Sequence, residues 1–391
     1  MKKRTIEEEM GSSDGENAGR GNVIAETINS DRAFVIVLTL ATKVLLFLLA
    51  GQNFIVHSNK TLPELSDWVM LWNRWDVLHY QKLAEFGYEL GEKMKPSMVF
   101  YPLLPWLTRG LSQITGEYIA SSFVIATIAS FTAVLIFYNL VRFDFSREIA
   151  MRSAWFMLIF PTAYFLHIPY TEGLFLSLSI GSILCARKGR WLLAGVLGLL
   201  ACLTRANGLV LIFVLAAEAA HQFYETRKWR PEWLAIALVP VGFIVYLGIN
   251  SSVSGDPFAF IAIRKEFFFI SSAPPWTGLM AVVGQLNRGP SEAEMVGIQE
   301  LIYVLLGLVC TVVAGFKLRP VYSVWIGMNW LLIMSVTFVA SVPRYTFSLF
   351  PIFILFAMAA KNRYWLAVIS VWSLLYLSFF STLFSRGFWA F

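Results

Sequence analysis

The chain has 391 residues, 57% of them hydrophobic and only 14% charged, whereas soluble domains carry about 25% charge. That balance excludes a soluble globular domain and predicts an all-α polytopic membrane protein. The net charge of +6 accompanies no nucleic-acid recognition motif, so it is assigned to basic loops on the inner side of a membrane.

Residues 1–30 are polar and rich in Gly, Ser and acids, the composition of a disordered cytoplasmic tail, and hold no apolar core of a signal peptide. A bilayer core of about 30 Å takes about 20 apolar residues per helix. Apolar runs at 33–51, 118–140, 149–166, 171–186, 191–203, 207–222, 233–250, 298–316, 321–339, 347–360 and 364–384 predict about eleven membrane helices within one domain, 31–391. Several are short, which suits tilted or re-entrant segments around a cavity. The turns at 141–148, 186–190, 224–230, 317–320 and 361–364 each hold at least two Lys or Arg, and so define the cytoplasmic side. Two long loops, 52–117 and 251–297, then face outward. Cys185, Cys202 and Cys310 lie inside apolar runs without metal-ligand spacing and are expected as core residues.

The first outward loop contains NRWDVLHYQKLAEFGYE. Asp76, His79, Tyr80 and Leu83 recur at helical spacing, so one face gathers a carboxylate, an imidazole and a phenol. Two readings follow. Asp76 is a solvated acid on an interfacial helix whose Trp68, Trp72 and Trp75 form an aromatic belt, or it is a general base with His79 as partner, Asp67 being a rival acid nine residues upstream. FYPLLPW (100–106), with Tyr101, cannot continue a regular helix through Pro102 and Pro105, which suits a re-entrant or interfacial segment.

Three short outward turns carry the remaining polar groups: HIPYTEG with His167, Tyr170 and Glu172, LTRANG with Arg205 and Asn207, and VPRYTF with Arg344 and Tyr345. Each alone could be a capped turn. Three on one side point to a substrate path, because ionisable groups at membrane depth are costly, and Arg suits phosphate through its fixed charge and forked donors. Asp256 in GDPF reads as a turn former, and Arg264 with Lys265 as a headgroup-facing pair. Asn59 and Asn250 stand in glycosylation triplets on the outward side. No ATP loop, hydrolase elbow, HExxH or DxD-like pair occurs, so no nucleotide, metal or other cofactor is implied.

In order, RWDVLHYQKLAEFGY (74–88), FYPLLP (100–105), PYTEGLF (169–175), TRANGL (204–209), GDPFAF (255–260) and PRYTFSLFP (343–351) resemble the PIG-V family of mannosyltransferases. That family contains the second mannosyltransferase of GPI-anchor assembly and prokaryotic relatives, within the C-type multispanning glycosyltransferase (GT-C) superfamily. The resemblance implies a GT-C-like helix bundle, a polyprenyl- or dolichyl-phosphate mannose donor, and a glycan, lipid-linked or protein acceptor. It places the catalytic acid on Asp76 and the following histidine on His79. Glu85 and Tyr88 match its AExGY block, Glu172 its acidic turn, and Arg205 with Asn207 its Arg-x-Asn-Gly turn. Together with Arg344, Tyr170 and Tyr345 at the donor, and Trp75, Tyr80 and Tyr101 as substrate wall, these form the expected site. The compact length and the tail favour a prokaryotic cell membrane over the endoplasmic reticulum. A lipid or polysaccharide transporter or ligase whose charges line a passage is the alternative.

Overall fold

A computed structural model describes residues 2–286 and 298–390, with side chains from Asn29 onward. The helices are α1 (Lys2–Ser58), α2 (Leu65–Met70), α3 (Asp76–Phe86), α4 (Leu103–Thr115), α5 (Tyr118–Asp144), α6 (Arg147–Ile159), α7 (Thr171–Arg187), α8 (Trp191–Cys202), α9 (Val210–Thr226), α10 (Val239–Ser254), α11 (Ala259–Phe268), α12 (Pro275–Gln285), α13 (Ile298–Lys317), α14 (Pro320–Met334), α15 (Val342–Phe347), α16 (Pro351–Ala359) and α17 (Arg363–Ser385). Apart from short 3-10 turns, the other regular pairing among the described residues is one antiparallel bridge between Ser272 and Val336. The side chains of the expected tail, up to residue 28, and the end of the second outward loop, 287–297, lie outside the described residues.

Six helical stretches among these residues are long and apolar enough to cross a bilayer: Asn29–Ser58, Tyr118–Asp144, Ala206–Thr226, Pro231–Ser254, Ile298–Lys317 and Arg363–Ser385. The chain is an integral membrane protein. Other expected spans are interrupted, for identifiable reasons. The run 149–166 stops at Ile159 because Pro161 removes an amide, and a 3-10 turn, Ala163–Leu166, follows. The run 321–339 ends at Met334, where the backbone instead bonds sideways: Ala273 N donates to Ser335 O (3.0 Å) and Thr337 N to Ser271 O (2.9 Å). The run 347–360 starts late, at Pro351, behind the separate helix α15.

Small residues let the interior helices meet. A Cβ on Gly195 or Gly242 would overlap the carbonyl of Ala235 or Leu199, so α8 and α10 touch backbone to backbone as membrane helices with small-residue faces do. Aromatic rings fill the rest of the core. Phe137, Phe160, Phe350 and Phe353 are fully buried and meet edge to face at centroid distances of 5.4–6.1 Å, a favoured aromatic geometry.

The basic turns gather at one end of the bundle. Arg187 pairs with Asp144 and, at 3.1 Å, with Glu218; Arg319 reaches Glu218 at 3.1 Å; Arg147 reaches Asp31 at 2.7 Å. These guanidiniums are therefore held by acids of α1, α5 and α9 rather than merely solvated. The turns at 167–172, 204–208 and 342–346 gather at the other end, so the alternation expected from charge has its geometric counterpart.

Asp67, the rival acid, lies on α2 and Asp76 on α3, because the chain breaks between them and Trp75 takes φ 54. Asp67 instead accepts Glu64 N at 3.1 Å and caps α2. Trp72 is no interfacial indole: it is fully buried against Phe47, Tyr164 and Phe384. Pro105 does sit inside a helix, in the first turn of α4, where no intrahelical partner for its missing N–H is needed. Asn250 is fully buried in α10 and donates to Tyr246 O at 3.0 Å, so its amide is closed to glycosylation.

Candidate active site

Asp76 is the first residue of α3. The turn ahead of it is held by Tyr170, whose hydroxyl accepts Asp76 N (3.3 Å) and donates to Arg74 O (3.3 Å). Trp75, φ 54, lies in a region that non-glycine residues seldom occupy. Its ring meets Trp389 edge to face at 5.1 Å. Strain of this kind persists where the surroundings over-determine it, and here it turns the Asp76 carboxylate toward the bundle.

Arg344 meets Asp76 there. On α15 it donates Nη1 to Asp76 Oδ2 at 2.7 Å and Nε to Glu172 Oε1 at 2.6 Å, and Arg205 donates Nη1 to the same Glu172 oxygen at 2.6 Å. Four residues from four parts of the chain thus form one chain of charge: Asp76, Arg344, Glu172, Arg205. Two carboxylates and two guanidiniums balance, which makes burial tolerable. Access is graded: side-chain exposure is 20% at Asp76, 14% at Arg205, 6% at Arg344 and 0% at Glu172. The two ends of the chain of charge are what an entering molecule meets first.

Aromatic faces complete the enclosure. The Arg344 guanidinium lies 4.5 Å from the Tyr170 ring and 4.9 Å from Phe165; that of Arg205 lies 5.6 Å from Tyr345 and 5.9 Å from Phe175. Such cation–π contacts strengthen when desolvated. The Arg205 turn is tightly set: a Cβ at Gly208 would come within 2.5 Å of Cys202 N. Asn207 Nδ2 donates to Asn329 Oδ1 at 3.0 Å, which fixes the turn against α14.

The other expected residues stand around this centre in different roles. His79 has its Nδ1 2.9 Å from Ser97 Oγ and its ring stacked on Phe100 at 4.6 Å. Burial holds its pKa below the usual 6.5, with Asp76 opposing and Lys82 adding to the shift. Tyr80 is buried with its hydroxyl 3.4 Å from Thr171 Oγ1. Tyr88 donates to Phe100 O at 2.7 Å, and Tyr101 stacks on Tyr246 at 4.0 Å, so both fasten the FYPLLP segment. Glu85 is exposed on the far side of α3. Asp256 Oδ1 accepts Phe258 N at 2.8 Å, as a turn former does. Ser97, Asn329 and Glu300, which support this centre, went unnoticed in the sequence; the available signal for the last two was a polar residue inside an apolar helix.

Among the described residues no three His, Cys, Asp or Glu side chains are grouped to hold a metal ion. The arrangement can orient a carboxylate, present guanidinium donors to an anion, and exclude water behind aromatic rings.

The architecture and this centre define a polytopic helical membrane protein with a buried charged site at one end. A family described as dolichyl-phosphate-mannose-protein mannosyltransferase matches residues 95–249, less than half of the chain. The matched region includes Tyr170, Glu172, Arg205 and Asn207 but neither Asp76 nor Arg344. Among solved structures, the chain is similar to the oligosaccharyltransferase of Archaeoglobus fulgidus in the apo form, at 12% identity over 88% of this chain and 56% of that one, TM-score 0.46. The same archaeal enzyme in complex with an inhibitory peptide and a dolichol-phosphate matches at 12% identity, 88% and 56% coverage, TM-score 0.44. The chain spans about half the length of these proteins. No curated protein matches it.

Proposed function

We propose that this protein is a GT-C-type glycosyltransferase of the PIG-V-like kind, transferring mannose from a polyprenyl-phosphate carrier to an acceptor hydroxyl on a glycan, lipid-linked or protein substrate at the outer face of the membrane. The observation that carries the reading is the Asp76–Arg344–Glu172–Arg205 chain, which joins an accessible carboxylate to two guanidiniums at one end of the bundle. The family match over 95–249 supports a lipid-phosphate mannose donor.

In this mechanism the acceptor oxygen attacks the anomeric carbon as its proton passes to Asp76, and the carbon–oxygen bond to the lipid phosphate breaks on the opposite face, with inversion. Polyprenyl phosphate leaves carrying the negative charge, which Arg205 and Arg344 stabilise by donors already in place. Arg344 has a double duty. It pairs with Asp76 before the donor arrives, so Asp76 Oδ2 is already occupied by Arg344 Nη1. The donor phosphate competes for Arg344, and Asp76 Oδ2 becomes free to accept the acceptor hydroxyl as that pair loosens. Donor binding therefore precedes activation of the acceptor. Glu172, bonded to both guanidiniums, keeps them aligned throughout.

Purified protein supplied with polyprenyl-phosphate mannose and a panel of lipid-linked glycan and peptide acceptors should form a product heavier by one hexose, detected by mass spectrometry. If no acceptor is glycosylated while the lipid-phosphate sugar still binds, the charges serve a transporter or ligase.

A further inference from the structure

We propose that Glu300 is a positioning residue for Arg344: its carboxylate holds the turn from which that guanidinium reaches Asp76 and Glu172. Glu300 lies near the start of α13 and is fully buried, at the end of an apolar helix where an unsupported carboxylate is costly. Both of its oxygens are used. Oε1 accepts Ser341 N at 2.8 Å and Oε2 accepts Val342 N at 2.7 Å. These two residues open α15, and Arg344 is the third residue of that helix.

The turn needs such support. The first amides of a helix have no intrahelical acceptor, and Ser341 sits at φ 65, where a residue with a side chain is strained. Neutral groups fasten neighbouring carbonyls: Thr162 Oγ1 donates to Pro343 O at 2.9 Å and Gln285 Nε2 to Val339 O at 3.0 Å. Glu300 alone among these anchors accepts two consecutive amides, and it does so without a cation bonded to it among the described residues. Its place is explained by the geometry of the turn and not by an ion pair. Because Arg344 binds two carboxylates with two different nitrogens, a small rotation of α15 breaks one of those contacts. The consequence for ligand binding rests on the lipid-phosphate reading above.

The test uses the full chain in lipid nanodiscs. Glu300→Gln keeps size and one acceptor oxygen but sets an NH2 against an N–H. Hydrogen exchange at the Ser341 and Val342 amides should accelerate about tenfold or more, the scale of a lost charge-assisted hydrogen bond, with peptides of α14 unchanged. Affinity for undecaprenyl phosphate should fall about tenfold, and in an Arg344→Ala background Glu300→Gln should add no further loss. Adding Ser341→Gly, which relieves the positive φ, should partly restore affinity. Unchanged exchange at 341–342, or an equal loss of affinity with and without Arg344, overturns the proposal. A wild-type chain that does not bind undecaprenyl phosphate removes the lipid-phosphate reading, while the exchange result still decides whether Glu300 holds the turn. Should Glu300→Gln fail to fold, Glu300→Asp, which retains the charge but shortens its reach, carries the same two readouts.

Discussion

Replacing Asp76 by Asn separates a catalytic carboxylate from a structural one, because the two roles predict opposite effects on the donor. The wild-type cluster is neutral, with Asp76 and Glu172 against Arg205 and Arg344. The Asp76→Asn change leaves one excess positive charge, centred on an Arg344 that is 6% exposed. Removing one partner of a fully buried pair costs about 3–5 kcal/mol. Here the cost is smaller, about 1–3 kcal/mol, since Asp76 is partly exposed and Arg344 keeps Glu172. The melting temperature falls by a few degrees and the chain still inserts. Turnover falls much further, by about 10² to 10⁴, the contribution of a positioned base. Donor binding moves the other way: a guanidinium relieved of its carboxylate binds lipid phosphate as tightly as wild type or tighter. Product formation with polyprenyl-phosphate mannose, equilibrium binding of the same lipid and a thermal melt on one preparation provide all three numbers. Asp67→Asn is the control, and it should cost only the cap of α2, about 0.5–2 kcal/mol, with turnover kept. Near-normal turnover in Asp76→Asn, or a loss of donor affinity in step with stability, refutes the assignment of the base.

Arg205→Ala should raise the donor KM at little cost to folding, since Arg205 is the more exposed guanidinium, whereas Arg344→Ala should lower both kcat and the melting temperature by stranding Asp76 and leaving Glu172 with Arg205 alone; Arg→Lys restores only part at either position. Steady-state kinetics on the variants decide it, and normal donor kinetics in both alanine variants would move the phosphate site elsewhere, Lys265 being the next cation to replace. Cysteine introduced at Arg190 should resist an impermeant thiol reagent in sealed cells while one at Gly91 reacts; labelling at 190 reverses the orientation. His79 is held neutral by burial, with its pKa below the usual 6.5, so the unfolded chain takes up a proton there before the folded one does. The stability that His79 contributes is full above pH 6.5 and declines as pH falls below it. Melting curves between pH 7.5 and 5.5 should show that slope in wild type and a shallower one in His79→Gln; identical slopes disprove it.

Much of the candidate site was legible in the sequence because charge is conspicuous in apolar surroundings. Asp76 begins α3, and its period with Tyr80 and Leu83 is the helix that forms. The turns holding Glu172, Arg205 and Arg344 were recognisable as polar ends of apolar runs, and they do converge. Their pairing was not legible. Arg344 lies 268 positions from Asp76 and 172 from Glu172, and spacing along a helix determines a face, not the distant residue that the face will meet. His79, read as partner to Asp76, has its Nδ1 hydrogen bond to Ser97, a residue that helical spacing could not name. Trp72 was misplaced because an indole beside a membrane segment has the same local signature whether it lies in the headgroup layer or under two other elements. Proline was over-read at Pro105, where position within the helix decides its effect.

The pairing also changes what the two arginines mean. Seen as isolated cations at membrane depth, they would be waiting anion sites; in the folded chain each is already bonded to a carboxylate, and Arg344 to two. A phosphate entering this centre would meet no vacant charge, and would have to displace a carboxylate from a guanidinium. On the proposed mechanism, freeing Arg344 also frees Asp76, while Glu172, fully buried and shared between both arginines, keeps its hydrogen bonds. On the proposed mechanism, selectivity for a charged lipid carrier would follow from the same constraint. On that mechanism a neutral sugar donor would leave Arg344 on Asp76 Oδ2 and that oxygen closed to the acceptor hydroxyl, so the acceptor would remain unreactive even when bound.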